Sequence, residues 1–275
     1  MKPASFDYLR PDTADEAVAA LSEHGGDARI LAGGQSLMIL LNMRFARPKL
    51  LIDIGRLDAL SEIRVENGAL VVGAAVTQAA LEQRPTLPQE APLLAAALPW
   101  LGHYQTRNRG TVCGSIAHAD PAAELPLCLV ALGGEVTLRS KRARRTLGAE
   151  EFLLGMLATA RRDDELVEAV RFPLHRPGTG VAFQEVAQRH GDFALVACAA
   201  LVSDDKVRLT VGGVAARPIA RDWQDLDGSA LDDALNDFAW ELGATDDHHA
   251  SAKYRRELVR RIGRAVIEEA KACRH

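Results

Sequence analysis

Residues 109–126 read RGTVCGSIAHADPAAELP, and the interpretation of the whole chain starts from this stretch. Its core, Thr111 to Ser115, combines Gly114 with side chains that carry hydroxyl groups. Glycine lets a main chain approach a ligand closely and adopt positive φ, so that successive N–H groups converge on one cluster of oxygens. The core is therefore predicted to be a loop that binds an anion through its backbone.

A second glycine segment, Ala32-Gly33-Gly34-Gln35-Ser36, has the same chemistry far upstream. One such loop fits a phosphate, whereas two fit the halves of a diphosphate such as that of FAD. Asp120 and Pro121 are favoured at the N-cap and first position of a helix, so they predict a helix whose positive end faces the preceding loop. Each glycine segment alone also fits an ordinary turn, but together with this helix they favour cofactor binding.

Composition limits the classes of function. The 275-residue chain has a net charge of −4 and is 48% hydrophobic, which suits a globular protein of one large or two modest domains and indicates no nucleic-acid partner. The N-terminus lacks the apolar core of a signal peptide and no apolar run has membrane-spanning length, so a cytoplasmic protein is expected. Four widely spaced cysteines predict no metal or iron–sulfur site on this chain. No nucleophile–base set is evident, and no catalytic residue is predicted.

Helices and strands alternate up to about residue 172. Thr13 to Glu16 form a capping box that predicts a helix ending at Gly25, and Asn67-Gly68 predicts a hairpin. Neither G-x-G-x-x-G nor a P-loop sequence occurs, so a Rossmann or P-loop fold is disfavoured. The remaining predictions are strands at 29–32, 49–54, 136–138 and 166–172, and helices from Thr77, over 91–100 and from Asp120 to about 132.

Residues 173–180 are rich in proline and glycine and predict a linker. Beyond it, three strands at 181–187, 194–202 and 207–211 predict an antiparallel meander with a tight turn at Asp204-Asp205. Two helices, near 232–242 and 251–270, complete the pattern. The fold class is predicted to be α+β.

The chain resembles the FAD-binding medium subunit of molybdenum hydroxylases, the group that includes xanthine dehydrogenase and aerobic carbon monoxide dehydrogenase. Two long segments carry the resemblance, residues 32–37 and 109–126. Two shorter matches, residues 189–194 and 253–255, read RHGDFA and KYR. All four follow one another in family order from one end of the chain to the other.

The resemblance implies a PCMH-type FAD-binding domain of two α/β subdomains at residues 1–176. It implies a C-terminal domain at 177–275 with a three-stranded antiparallel sheet and helices, similar to that of the CO dehydrogenase flavoprotein. FAD is expected with its diphosphate between the glycine segments, bound by Ala32, Gly33, Gly34, Gln35, Ser36, Thr111, Val112, Cys113, Gly114 and Ser115. Glu124 matches a position that contacts the cofactor, and Phe193 matches an aromatic position near the isoalloxazine ring.

The resemblance also implies partners, namely a molybdopterin-binding large subunit and a small subunit with 2Fe–2S clusters, assembled as a dimer of heterotrimers. Electrons leave a substrate at molybdenum, cross the clusters, reach FAD and pass to an external acceptor. The substrate does not follow from this chain, and quinone, cytochrome, dioxygen and NAD stay open as acceptors. Two alternatives also stay open: a self-sufficient FAD-dependent oxidoreductase and a non-catalytic nucleotide-binding module.

Three positions depart from the family pattern. Cys113 stands where many relatives have glycine, and it is expected to adopt negative φ with a peptide still able to donate. Ser115 replaces a frequent Asp or Asn. Glu185 replaces a frequent lysine near the flavin ring, and an ionised glutamate there would oppose negative charge on reduced flavin. The flavin potential therefore does not follow from the sequence.

Overall fold

A parallel sheet forms the first layer of the fold. The computed structural model describes residues 2–224 and 226–274; Met1 and His275, the outer bounds of the expected domains, and Asp225 lie outside the described residues. The strands pair in the order first, third, second, and α1 packs on them through buried Ala17, Val18 and Leu21. The elements are β1 (Asp7–Leu9), α1 (Ala14–His24), β2 (Ala28–Leu31), α2 (Leu37–Asn42) and β3 (Leu50–Asp53).

The next layer is an antiparallel sheet of five strands. Six helices lie along the chain between its second and third strands. The elements are β4 (Ile63–Glu66), β5 (Ala69–Gly73), α3 (Gln78–Glu82), α4 (Leu87–Glu90), α5 (Pro92–Ala97), α6 (Tyr104–Arg107), α7 (Val112–His118), α8 (Glu124–Leu132), β6 (Glu135–Arg139), β7 (Arg144–Gly148), α9 (Ala149–Phe152), β8 (Leu153–Gly155), β9 (Ala158–Thr159) and β10 (Leu166–Pro173). The strand order is β4-β5-β10-β6-β7, while β8 and β9 form a separate small hairpin. We call residues 7–173, which hold both layers, the amino-terminal region.

The carboxy-terminal region, residues 180–272, is an antiparallel sheet followed by two helices. Its elements are β11 (Gly180–Val186), β12 (Val196–Val202), β13 (Val207–Gly212), β14 (Ile219–Trp223), α10 (Gly228–Glu241) and α11 (Ala252–Ala272). The four strands pair in chain order. The α+β class is confirmed, but the expected count of three strands is wrong. Because β14 contains the polar pair Arg221-Asp222 and lacks an apolar alternation, its pairing with β13 rather than its own pattern makes it a strand.

Both faces of the carboxy-terminal sheet are covered. Phe183 and Ala199 belong to the core of the amino-terminal region, while Ala182 and Ala200, which alternate with them along the same strands, pack with α10 and α11. Helices α5 and α8 lie against the first of these faces. The sheet therefore joins the two regions through a buried contact.

Several local predictions are confirmed at the residue level. Thr13 caps α1 and Thr77 caps α3, each through a side-chain oxygen that accepts a backbone N–H bond. Asn67 and Gly68 both have positive φ, as the predicted hairpin requires. The capping box differs in one bond, because the Glu16 carboxylate accepts from the N–H of Asp12 rather than from that of Thr13.

Two predicted helices differ from those observed. The helix expected from Asp120 begins at Glu124 instead. The Asp120 carboxylate accepts from the N–H of Ala122 at 2.9 Å, and the carbonyl oxygen of Pro121 accepts from Gly213 at 2.8 Å, so these residues form a turn that contacts the carboxy-terminal region. The helix expected over 91–100 is α5 followed by a 3-10 turn over 98–100.

Candidate functional site

The two glycine segments lie in direct contact although they are far apart in the sequence. A Cβ added at Gly33 would overlap the carbonyl oxygen of Arg109 and lie 2.7 Å from the Cα of Gly110. Only glycine at position 33 permits this approach of two main chains. The contact brings the end of β2 beside the residues that precede α7.

A groove of about 490 Å³ opens at this contact, within the range of small-molecule sites. Residues 32–35 line it, and Met38 and Ile39 of α2 contribute apolar side chains. Arg109 and Asp53 contribute the charged groups. The full lining is Leu31, Ala32, Gly33, Gly34, Gln35, Met38, Ile39, Asp53 and Arg109.

The first glycine segment has unused hydrogen-bond donors. Gly34 has a φ of 73°, a conformation that turns the chain sharply at the start of α2. Among the described residues, the N–H groups of Gln35, Ser36 and Leu37 have no backbone or side-chain acceptor, as expected in the first turn of a helix. The Ser36 hydroxyl does not cap α2. Three amides and one hydroxyl are therefore free to bind oxygen atoms.

The second segment is a helix start rather than the loop predicted from its glycine. Thr111 is the N-cap of α7, and its side-chain oxygen accepts from the N–H of Gly114 at 3.0 Å. Val112, Cys113, Gly114 and Ser115 are helical. The expected negative φ at Cys113 is confirmed. Its N–H has no acceptor among residues 2–224 and 226–274, so the peptide can still donate.

The Cys113 side chain plays a structural part. It is buried and its thiol donates to the carbonyl oxygen of Val72 in β5 at 3.4 Å. Burial raises the pKa of this thiol to about 12, so it stays protonated and unreactive at neutral pH. Cys113 therefore anchors α7 on the five-stranded sheet.

Gln78 holds the second segment in place from α3. Its N–H donates to the carbonyl oxygen of Gly110 at 2.8 Å, and its side-chain amide lies 3.5 Å from the carbonyl oxygen of Thr111. The Gln78 Oε1 atom is buried and lacks a donor among the described residues. Gln78 was not predicted as a site residue, because a glutamine inside a short helix carries no recognisable pattern.

Arg109 and Asp53 were also missed as groove residues. Arg109 has no ion-pair partner among the residues that the structure describes, and it is the only cation in the groove lining. Asp53 accepts from the Tyr8 hydroxyl at 2.6 Å and from the N–H of Gly55 at 2.9 Å. Its position at the carboxyl end of a predicted strand is a signal that could have found it.

Glu124 and Phe193 occupy different surroundings from the glycine segments. Glu124 is the first residue of α8 and is 4% exposed. Phe193 is 63% exposed in the turn between β11 and β12. That turn lies on the amino-terminal region through His190, whose ring packs edge-on against Trp100 with centroids 5.4 Å apart. Neither Glu124 nor Phe193 belongs to the groove lining.

Glu185 is buried in the contact between the two regions. An ionised carboxylate is therefore not expected at this position. Burial first, and the neighbouring charge of Glu124 second, raise its pKa to about 8. The carboxyl is therefore largely neutral at neutral pH. A neutral Glu185 does not oppose negative charge nearby as an ionised glutamate would.

The described residues hold no group of three or more His, Cys, Asp or Glu side chains able to bind a metal ion. No helix within residues 2–224 and 226–274 combines the length and the apolar composition needed to cross a membrane. The site combines backbone donors, the Arg109 cation, the Asp53 carboxylate and apolar side chains, a set that can bind a phosphate-bearing cofactor.

The sequence matches two family models in succession. The model of the FAD binding domain in molybdopterin dehydrogenase matches residues 4–175. The chain belongs to this FAD-binding family. The model of the CO dehydrogenase flavoprotein C-terminal domain matches residues 181–270, so the resemblance to the medium subunit of molybdenum hydroxylases is confirmed.

Named relatives and a solved structure support the same assignment. The chain is 37% identical to subunit alpha of the 6-hydroxypseudooxynicotine dehydrogenase complex of Paenarthrobacter nicotinovorans, over 98% of this chain and 96% of the relative. It is 42% identical to caffeine dehydrogenase subunit beta of Pseudomonas sp. strain CBB1, over 78% and 73% of the two chains. The fold matches reconstituted CO dehydrogenase from Oligotropha carboxidovorans with a TM-score of 0.94 and 31% identity, covering 99% of this chain and 100% of the other. The flavoprotein fold of this family member is thereby established.

Proposed function

We propose that this chain is the flavin subunit of a molybdenum hydroxylase complex and that the groove between its glycine segments holds the diphosphate of FAD. The observation that carries the site is the contact of Gly33 with residues 109–110, beside amides that have no other acceptor. Bound FAD would supply the redox chemistry, accepting electrons from iron–sulfur clusters on a partner subunit and passing them to an external acceptor. The residues of this chain bind and orient the cofactor.

Each part of the groove has a distinct role in this proposal. Gln35, Ser36 and Leu37 donate backbone N–H bonds to phosphate oxygens. Arg109 supplies the positive charge that a diphosphate requires, and Thr111 fixes the first turn of α7, where the N–H of Cys113 has no acceptor among the described residues. The apolar side chains of Met38 and Ile39 keep water from one side of the cofactor.

The residues outside the groove take their proposed roles from the family resemblance. Phe193 is exposed on a turn and is proposed to pack on the isoalloxazine ring. Glu124 is proposed to contact the cofactor from the start of α8. Val112, Gly114 and Ser115 of the second segment, together with Ala32 of the groove lining, complete the proposed binding set, with the Ser115 hydroxyl as a further donor.

The assembly is proposed in the same terms. The relatives include the CO dehydrogenase medium chain of Hydrogenophaga pseudoflava, and medium chains are parts of complexes with large and small subunits. We place the molybdopterin in the large subunit and 2Fe–2S clusters in the small one, within a dimer of heterotrimers in the cytoplasm. The buried free thiols of Cys113, Cys128 and Cys198 suit a reducing compartment. We propose residues 1–176 and 177–275 as the two domains; the matched models, which span residues 4–175 and 181–270, support this division.

The complex purified after co-production of the three subunits tests this function. Heat denaturation should release FAD in proportion to this chain, and clusters reduced with dithionite should reduce the flavin band in turn. In Gly34→Val, whose side chain would be strained at a φ of 73°, the complex should assemble without flavin and its clusters should stay reduced. A colourless native chain, or full flavin content in the variant, contradicts the assignment.

A further inference from the structure

Two carboxyl groups from different regions of the chain are buried in the same contact. Glu185 lies on β11 of the carboxy-terminal sheet and is 7% exposed, while Glu124 begins α8 of the amino-terminal region. Neither Oε1 nor Oε2 of Glu185 has a hydrogen-bond partner among the described residues. A buried carboxylate without donors is costly, because water no longer solvates its charge.

Strand register places Glu185 on the sheet face that α8 covers. Glu185 pairs with Ala197 of β12, which pairs with Gly212 of β13, so the three residues form one row across the sheet. The Cβ position of Gly212 lies 2.9 Å from the Leu127 side chain of α8. The row therefore runs under the first turn of that helix.

The helix presents a second carboxyl group to this face. Glu124 and Cys128 are four residues apart and share one side of α8. Both carboxyl groups act on Cys128, since the charges of Glu124 and Glu185 each raise the pKa of its thiol further above its usual value. Glu124, Glu185 and Cys128 thus form one buried cluster of groups that carry negative charge when ionised.

Among the described residues, no cation forms an ion pair with this cluster. Neither Glu124 nor Glu185 takes part in an ion pair within residues 2–224 and 226–274. Helix α5, which packs on the same sheet, contains no titratable residue. From the other side of the sheet, Arg255 of α11 reaches the carbonyl oxygen of Gly213 but is paired with Asp247.

The loop before α8 adds a further negative charge rather than a positive one. Burial and, to a smaller extent, the charge of Asp120 raise the pKa of Glu124 to about 7, against the opposing effect of a backbone hydrogen bond. His118 lies beside Asp120, but burial lowers its pKa, so the imidazole is mainly neutral at neutral pH. The same sheet face carries Thr210, whose buried hydroxyl oxygen has no described partner, and Arg208, which is paired with Glu150 and Asp222.

We propose that Glu124 and Glu185 form a proton-binding site in the contact between the two regions, and that the pair keeps one proton at neutral pH. A single proton shared by the pair removes one of two buried like charges. Without a cation nearby, this state costs less free energy than one in which both carboxyl groups are ionised. The pair therefore carries at most one negative charge while the regions are docked. Its loss of the last proton in alkali puts two charges into the contact and weakens it.

The direction of the pH effect follows from the two states of Glu185. Its pKa is about 8 in the folded chain against an ordinary 4.5, so between these values the folded chain holds a proton that the unfolded chain has released. Stability from this group is complete below about pH 4.5 and is lost as the pH rises through about 8. Alkali, not acid, should loosen the contact.

Thermal unfolding of the full chain between about pH 5 and about pH 9 tests the pair. The native midpoint should fall as the pH rises, and Glu185→Gln should remove more than half of that fall, because the amide cannot ionise. Glu269→Gln is the matched control, since Glu269 accepts from Gln184, the neighbour of Glu185 on the opposite face of β11. The control should keep the native pH profile, and a native profile in Glu185→Gln would overturn the proposal.

Carboxyl carbon resonances of the native chain provide a second measurement that requires no variant to fold. Two glutamate carboxyls should titrate near or above neutrality, and one of them should be lost in Glu185→Gln. If every glutamate carboxyl titrates below about pH 5, the pair does not exist. Because Glu124 is also proposed to contact FAD, both measurements are made on the chain freed of flavin, so that failure of FAD binding would leave these outcomes unchanged.

Discussion

At the scale of single residues, the site depends on the absence of a side chain at Gly33. The main chain of residues 109–110 occupies the space where a Cβ would stand. Sequence reasoning identified Gly33 as a binding residue through the flexibility of glycine, but its main role in the structure is to let two segments touch. Arg109 and Asp53 became visible only once that contact was known.

Gly33→Ala should separate the two glycine segments and reduce flavin retention at least tenfold. The added methyl must displace backbone rather than a flexible side chain, which costs about 1–3 kcal/mol. Flavin content per purified chain is the measurement. Gly148→Ala is the control, because its Cβ would meet only the Glu151 side chain at 3.5 Å and lie away from the groove. Equal flavin content in the two variants would refute the role of the contact.

At the scale of elements, the short helix α7 connects the groove with the five-stranded sheet. Its N-cap, Thr111, lies in the second glycine segment, and its Cys113 thiol contacts β5. The glycine-based prediction of a loop failed here because Gly114 is at a helical position whose N–H is already satisfied by Thr111. The same hydroxyl that suggested a ligand donor is therefore a cap.

Thr111→Val should weaken both the helix and flavin binding. Loss of the cap bond costs about 1 kcal/mol, and the N-terminal amides of α7 lose their fixed direction. Thr13→Val is a matched control, because Thr13 caps α1 by the same bond to a backbone N–H and does not line the groove. Both variants should lose similar stability in denaturant unfolding, whereas only Thr111→Val should raise the dissociation constant of FAD. Equal FAD affinity in both would argue against α7 as part of the site.

At the scale of the whole molecule, one guanidinium fastens α11 to the carboxy-terminal sheet. Arg255 is buried and donates to the carbonyl oxygens of Leu195 at 2.8 Å and Gly213 at 2.7 Å. It also pairs with Asp247, which precedes the helix, at 2.5 Å. Through Leu195, these bonds hold the turn that contains Phe193 against the end of the sheet.

Arg255→Met should lower the free energy of unfolding by about 3 kcal/mol, because two carbonyl oxygens lose a charged donor at once. Chemical denaturation of the full chain measures this loss. Arg256→Met is the neighbouring control; its guanidinium stacks on the exposed Trp240 ring at 3.9 Å, and it should cost less than about 1 kcal/mol. A similar loss in both variants would contradict the central role of Arg255.

The pairing of Asp247 with Arg255 also indicates how the stability of the fold depends on acid. N–H bonds from Ala250 and His249, followed by the bond from Arg255, lower the pKa of Asp247 to about 2 from an ordinary 3.8. Its contribution to stability is complete above about pH 4 and is lost as the pH falls through about 2. Asp247→Asn should therefore make unfolding less dependent on pH in this acid window, as followed by circular dichroism. An unchanged acid transition would show that Asp247 does not contribute.

The sequence by itself determined several caps and turns, the two glycine segments and the family, because caps, turn residues and signature motifs act over short distances along the chain. Thr13, Thr77 and Asn67-Gly68 were correctly predicted for that reason. Only the tertiary structure decided that Gly33 touches residues 109–110, that β14 joins the sheet, and that Glu124 and Glu185 are both buried. Those outcomes depend on pairing and burial between distant segments. No local pattern of residues indicates which distant segment will cover a given surface and exclude water from it.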